Sequence, residues 1–284
     1  MASPSMLLAA DRHIRFSLQE DMNAGDLSTD AVMPEKRLGS AQLICKQDGT
    51  LAGMWVFERV FQILDPSSVV EAKASDGEDV KSGQLLAVVE GDVRTILSGE
   101  RTALNYLQHM SGIATYARKM SNALKGTGIV LLDTRKTTPG MRIFEKYASR
   151  IGGAVNHRFN LSDAVMLKDN HIAAAGGIAN AVSAARARAP YTCKVEVEAE
   201  TLDQVEEAVS AGADIIMLDN MGRDDMERAV QIIGGRAQVE CSGNVTLENV
   251  GNLAGLGIDY VSCGAITHSA GILDISLKNI ELGA

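Results

Sequence analysis

The sequence predicts an α/β protein whose larger part is a parallel sheet built from repeated strand–helix units. Composition is the first sign. Among 284 residues, 46% are hydrophobic but only 4% aromatic, and small or branched apolar side chains suit helices laid closely on a sheet. The second is a set of six short apolar runs that read as strands: IVLLD (129–133), AVMLK (164–168), KVEVEAE (194–200), DIIMLD (214–219), AQVECSG (237–243) and DYVSCG (259–264). The third is their spacing. Helical stretches fall around 141–151, 177–189, 203–211, 223–234 and 246–254, so strand and helix alternate every twenty to thirty-five residues or so. Six units and no eighth favour an incomplete, open α/β barrel, with a doubly wound sheet as the alternative.

The elements ahead of these units are less regular. Residues 11–21 form an amphipathic helix with Ile14 and Leu18 on one side, and the turn-rich GDLSTD (25–30) ends it. Strands over 41–46 and 69–74 flank a helix over 55–64. From Ser75, SDGEDVKSGQLLAVVEGDV sets two turns, DGED and KSGQ, among short strands. The spacing resembles half of a biotinyl-type hammerhead, but no lysine occupies a carrier position between hydrophobic neighbours, so a turn-and-strand unit of an α/β domain is the better reading. A long helix follows over 98–125. Ser98 can cap it, Leu104, Leu107, Ile113, Ala114, Ala117 and Met120 recur at helical spacing, and Gly126 and Gly128 end it.

Charge and cysteine usage exclude several function classes. The formal net charge is -9, which argues against the broad basic face of a nucleic-acid binder. Cys45, Cys193, Cys241 and Cys263 are far apart with no C-x-x-C pair, as expected of buried, inert thiols in a reducing compartment. The apolar stretch Met6 to Ala10 is too short for a signal peptide, and no window reaches the length of a membrane span. A cytoplasmic protein is expected, with Met6 a plausible native start and residues 1–5 an extension before it.

Within this acidic chain, cations are knotted together. DTRKTTPGMR (133–142) carries Arg135, Lys136 and Arg142; NHRFNLSDAVMLKDNHI (156–172) carries His157, Arg158, Lys168 and His171. A small polyanionic ligand in a local positive pocket is the simplest reason. Strand after strand also ends in polar residues: Asp133 to Lys136, Lys168 to His171, Asp219 and Asn220, Ser242 to Asn244, Cys263 and Gly264, while Glu196 and Glu198 share a strand face. Carboxyl ends of parallel strands build active sites. The loops SGNVT and CGAITHS place glycines and hydroxyls ahead of helix starts, where backbone N–H groups can cradle a phosphate.

The runs DTRKTTPGMR, GGAVNHRFNLSD, MLKDNHI, VEVEAE, DIIMLDN, ECSGNVT and DYVSCGAITHS, with the upstream GDLSTD and GERTALNYLQHMSGIAT, resemble the quinolinate phosphoribosyltransferases over nearly the whole chain. The resemblance implies an N-terminal α/β sandwich domain over residues 1–110, onto which residues 272–284 pack back, and an open α/β barrel over 111–271. It implies transfer of phosphoribose from phosphoribosyl pyrophosphate to quinolinate with decarboxylation, giving nicotinate mononucleotide, pyrophosphate and carbon dioxide for NAD synthesis, with Mg²⁺. It implies a homodimer, sometimes assembled further, with an active site shared across the interface, and no nucleic-acid or membrane partner.

Carried over by motif, Arg101 would reach a quinolinate carboxylate across the dimer. Thr134, Arg135, His157, Arg158 and Lys168 would complete the dicarboxylate pocket. Lys136 and Lys168 would face the pyrophosphate. Glu198 and Asp219 would hold the ribose hydroxyls and Mg²⁺, directly or through water; with Lys136 and Lys168 they form the expected catalytic set. Ser242, Gly243, Asn244, Cys263, Gly264, Ala265 and His268 would hold the 5′-phosphate. Arginine forks suit paired carboxylates, and a carboxylate beside the ribose suits oxocarbenium character. Once ribosylated, the ring nitrogen is the electron sink for loss of carbon dioxide, so enzyme groups mainly position and desolvate, with Lys168 or a water as proton source.

Asn160 stands where many relatives have glycine, and Cys241 where a branched apolar residue is common. Three rivals remain: a paralogue associated with molybdenum-transport loci, against which the intact KDNH run argues; a Schiff-base aldolase using Lys168; and a non-catalytic anion sensor.

Overall fold

Residues 3–283 are described by a computed structural model. The chain divides into two units. The first gathers residues 1–118, 138–152 and 270–284; the second gathers 119–137 and 153–269. Residues 138–152, which the sequence reading assigns to the barrel segment, therefore cluster with the first unit.

The first unit is a four-stranded sheet with helices beside it. Helix α1 (Pro4–Asp21) is longer than the 11–21 expected, because the Ser3 hydroxyl accepts the Met6 N–H and Pro4 opens the first turn. Met1 and Ala2 of the proposed extension lie outside the described residues. GDLSTD is not a simple turn: Asp26 caps a short helix, α2 (Leu27–Val32), by accepting the Thr29 N–H.

Strand β1 (Leu38–Cys45) follows, then the two-residue β2 (Gly49–Thr50), helix α3 (Met54–Leu64), β3 (Val69–Ala72), β4 (Asp79–Val80) and β5 (Leu85–Asp92). Gly53 precedes α3 at φ +100, and a Cβ there would lie 2.7 Å from Met110 Sδ, so only glycine fits. Helix α4 (Val93–Ala123) begins five residues before the expected Ser98 cap. Asp92 accepts the Arg94 N–H and acts as the cap, while the Ser98 hydroxyl donates to Asp26 from inside the helix. The C-terminal strand β12 (Ile275–Leu282) pairs antiparallel with β1, giving the order β12-β1-β5-β3. Alternate residues Ala41, Leu43 and Cys45 are buried on β1. Gly112 of α4 makes the chain's return possible: a Cβ would meet the Gly271 carbonyl at 1.8 Å.

The second unit is all parallel. Its strands are β6 (Val130–Leu132), β7 (Val165–Leu167), β8 (Val195–Ala199), β9 (Ile215–Asp219), β10 (Gln238–Ser242) and β11 (Tyr260–Ser262), in the order β6-β11-β10-β9-β8-β7. The two strands first in sequence are the two edges, so the sheet is an open barrel rather than a closed ring. Between strands run α6 (Asp169–Ala175), α7 (Ile178–Arg188), α8 (Leu202–Ser210), α9 (Arg223–Ile233) and the four-residue α10 (Ala265–His268); α5 (Arg142–Ile151) belongs to the first unit. Helices α6 and α10 escape the sequence pattern because each is too short to show a period. The helix expected over 246–254 is only a 3₁₀ turn at Val250–Leu253. Among the described residues no helix is long and apolar enough to cross a membrane.

Cys45, Cys241 and Cys263 are buried and Cys193 is half-buried, against the expectation that all four are buried. Burial raises the Cys45 and Cys263 thiols, and it pushes Cys241 up to about 11, which suits inert packing residues.

Candidate active site

All six parallel strands run the same way, so their carboxyl ends meet at one rim. There the second unit holds a cavity of about 530 Å³. Thr134, Arg135 and Lys136 enter it after β6, Arg158 and His157 ahead of β7, and Met166 and Lys168 from β7 and its end. Glu198 comes from β8, Met217, Asp219 and Asn220 from β9, Glu240, Ser242, Gly243 and Asn244 from β10, and Ser262 from β11. The register explains the layering: Glu198, Met217 and Glu240 lie in one row across β8, β9 and β10.

The floor is an imidazole against two carboxylates. His157 Nε2 lies 3.2 Å from Glu196 and 3.5 Å from Glu240, whose side chains are 3% and 1% exposed. Asp133, fully buried at the end of β6, fixes this loop by accepting the His157 N–H at 2.9 Å and the Asn156 side-chain N–H at 2.6 Å. Burial pulls the His157 pKa down, but the hydrogen bonds and charges of Glu196 and Glu240 outweigh it and raise the pKa to about 9. The Arg158 N–H points at Nδ1 at 2.7 Å, which leaves Nε2 as the nitrogen that faces the carboxylates. Burial raises Glu196 in turn, although His157 works against that shift.

A pH effect follows. The folded pKa of His157 is above its ordinary 6.5, so its charge stabilises the fold fully below about pH 6.5 and loses that contribution as pH rises through about 9. The difference in Tm between the wild type and His157→Gln should be constant from about pH 5 to 6.5 and should shrink toward about pH 10. A difference that grows with alkalinity would show the imidazole to be neutral.

The lining charges sort by strand. The segments at the two sheet edges, after β6 and around β7, bring Arg135, Lys136, Arg158 and Lys168; the ends of β8, β9 and β10 bring Glu198, Asp219 and the turn Ser242–Gly243–Asn244. Lys168 bridges them through a close ion pair with Glu198. Burial lowers the Arg158 pKa, and Arg135 beside it lowers it further. Like charges are thus held together in anticipation of an anion.

Several expected residues fall elsewhere. Arg101 is on α4 in the first unit, exposed beside a separate cavity of about 520 Å³ with His13, Asn105 and His109. Arg142 begins α5 in that unit. His171 caps α6, its Nδ1 accepting the Lys168 N–H at 3.1 Å. Cys263 is buried, with its thiol directed at the Val245 carbonyl. Gly264 and Ala265 open α10, and a Cβ on Gly264 would lie 2.8 Å from Lys136 Cδ and 3.0 Å from His268 Nε2. Gly264, Ala265 and His268 are not among the residues lining the cavity, and Gly264 lies against Lys136 and His268.

Met166, Met217, Asn220, Glu240 and Ser262 line the cavity and were not assigned from sequence. The usable signal lay in Glu196 and Glu240, carboxylates inside apolar strands, which demand a buried partner.

Comparison with known proteins places these features. The family model for the quinolinate phosphoribosyl transferase N-terminal domain matches residues 26–111, and that for the C-terminal domain matches 113–278. A probable nicotinate-nucleotide pyrophosphorylase [carboxylating] of Synechocystis is 44% identical over 93% of this chain and 90% of its own length. One from Bacillus subtilis is 41% identical over 91% and 89%. The crystal structure of NadC from Streptococcus pyogenes superposes with a TM-score of 0.95 at 46% identity, covering 100% of this chain and 99% of that one.

Proposed function

The chain belongs to the quinolinate phosphoribosyltransferase family, and from that premise we propose how its barrel cavity carries out the reaction. The enzyme transfers phosphoribose from phosphoribosyl pyrophosphate to quinolinate with decarboxylation, giving nicotinate mononucleotide, pyrophosphate and carbon dioxide in NAD biosynthesis. The observation that carries the residue assignment is that one cavity is lined by cations from the two sheet edges and by carboxylates and a turn from the strands between them. Quinolinate is a planar dianion; Arg135, Arg158, Thr134 and Lys168 suit it, with His157 fixed beside them between Glu196 and Glu240. The donor's ribose falls to Glu198 and Asp219, its pyrophosphate to Lys136 and Lys168, and its 5′-phosphate to Ser242, Gly243 and Asn244.

Glu198 and Asp219 are hard oxygen donors lining the same cavity and would hold Mg²⁺, directly or through water. Bound there, Mg²⁺ would neutralise the departing pyrophosphate. The residues' own work is to align the ring nitrogen with the anomeric carbon, stabilise its positive charge with Glu198 or Asp219, and exclude water from the carboxylate that leaves. Met166 and Met217 supply the apolar lining for the ring. Four free thiols accord with a cytoplasmic location.

Incubation with quinolinate, phosphoribosyl pyrophosphate and Mg²⁺ should yield nicotinate mononucleotide and carbon dioxide, with nicotinate a poor acceptor. Equal use of nicotinate would overturn the dicarboxylate assignment. The exposed position of Arg101 supports a homodimer in which it serves its partner's site. Mixing an Arg101→Ala variant with a Lys168→Ala variant should then restore up to about a quarter of wild-type activity, as random pairing leaves one intact site in half of the dimers. Mixtures as inactive as their parents would rule the shared site out.

A further inference from the structure

The turn after β10 and the end of β9 are tied together by the side chain of Asn220. Asn220 follows Asp219 in the left-handed region, at φ 54, and its backbone N–H donates to the Ser242 carbonyl at 3.0 Å. Its side-chain N–H donates to Asp219 Oδ2 at 2.8 Å, and its side-chain oxygen accepts the Asn244 side-chain N–H at 3.0 Å. Asn244 is also left-handed, at φ 50, and its carbonyl accepts the Asn249 side-chain N–H at 2.8 Å. Between them Gly243 (φ +94) comes so close that a Cβ would lie 2.2 Å from Asn220 Oδ1. One amide therefore joins a carboxylate on one strand end to a turn on the next.

This junction is also a partition. Asn220, Ser242, Gly243 and Asn244 line the active cavity on one side and, on the other, a second cavity of about 470 Å³ reaching α9 and the 3₁₀ turn. With cavities along it, the junction depends on its own hydrogen bonds and on the close fit of Gly243 against Asn220.

We propose that Asn220 is a positioning residue for the sugar-phosphate donor: its amide locks the Asp219 carboxylate and the Ser242–Asn244 turn into one rigid surface. The inference rests on the donor assignment above. Asn220 occupies one oxygen of Asp219 and leaves the other for the ribose side, while Gly243 and Asn244 keep their backbone directed at the phosphate. Without the amide, Asp219 rotates freely and the turn can relax into the cavity behind. Donor binding then has to order both elements, which costs affinity for the donor and not for the dicarboxylate.

Three substitutions separate this role from a merely structural one. Glycine keeps the left-handed backbone and removes only the amide. Aspartate keeps the shape and tolerates the same backbone but replaces the donated hydrogen with a second negative charge beside Asp219. Alanine removes the amide and strains the backbone. Asn220→Gly should weaken phosphoribosyl pyrophosphate binding with Mg²⁺, measured calorimetrically, by about tenfold. Its donor KM should rise in parallel, while the quinolinate Kd measured without donor should stay within about twofold. Asn220→Asp should be worse than Asn220→Gly despite its closer shape. Asn220→Gly combined with Asn244→Gly should be little worse than the more damaging single change, because the bond is shared.

Donor binding unchanged in Asn220→Gly, or Asn220→Asp equal to wild type, would overturn the proposal. So would an equal loss for quinolinate. A wild type that binds the donor yet forms no nicotinate mononucleotide would instead remove the acceptor assignment and leave the Asn220 comparison standing. A wild type that does not bind the donor at all would remove both.

Discussion

Replacing Arg158 with alanine raises the quinolinate KM by about thirtyfold at least, and by as much as a few thousandfold, while the donor KM changes by less than about threefold. The range is that for removing one partner of a partly buried, hydrogen-bonded charge pair, about 2–5 kcal/mol. Arg158 is placed for this. Its guanidinium is anchored to the Ala164 carbonyl at 3.1 Å and touches Met166 Sδ at 3.5 Å, so it meets the ligand with little ordering left to do. Burial and the neighbouring Arg135 both press against its charge, and a bound dianion relieves that repulsion. Arg158→Lys should fall between wild type and alanine, since it keeps the charge and loses the fork. The Tm should barely move, because removing one of two like charges offsets the lost anchor. Equal loss for acceptor and donor would mean that the guanidinium faces the shared centre of the cavity and not the dicarboxylate end.

The barrel was legible because its signals are local. The four strands between the sheet edges are short, mostly buried runs, and the period of strand and helix survives without knowledge of contacts. The convergence of Arg135, Lys168, Glu198 and Asp219 at one rim follows from parallel topology, since parallel strands end on the same side, whereas Arg158, ahead of β7, joins them through the parallel bridge of Val155 to Leu132. What stayed hidden depends on cross-strand register and on short caps. Glu240 stands in a strand whose neighbours are apolar, and only its row with Met217 and Glu198 brings it under His157. His171 looked like a site cation because it follows Lys168 closely, yet that closeness is what makes it a cap. Ser98 looked like a cap because serine often is one, but Asp92 ends a strand and starts the helix with no loop between. The hammerhead-like spacing after Ser75 did reflect real turns at Asp76–Gly77 and Ser82–Gly83, within a sheet.

Lys168 and Glu198 should lose catalysis together and not separately. The ammonium and the carboxylate, from neighbouring strands, form a close ion pair in the cavity, with the carboxylate the more buried partner. Lys168→Met leaves Glu198 without its countercharge beside the ribose; Glu198→Gln leaves Lys168 without a partner to aim it at the pyrophosphate. Each single change should lower kcat by about a hundredfold to a thousandfold, the scale for one preorganised electrostatic group. If the pair works as a unit, Lys168→Met with Glu198→Gln should be no more than about threefold below the worse single, where independence would predict a product near ten-thousandfold or beyond. The donor KM gives a second reading. Charge at the pyrophosphate end should make Lys168→Met raise it more than Glu198→Gln does. Losses that multiply would show two groups acting at separate steps, and the ion pair would then be a resting contact that substrate binding breaks before chemistry begins.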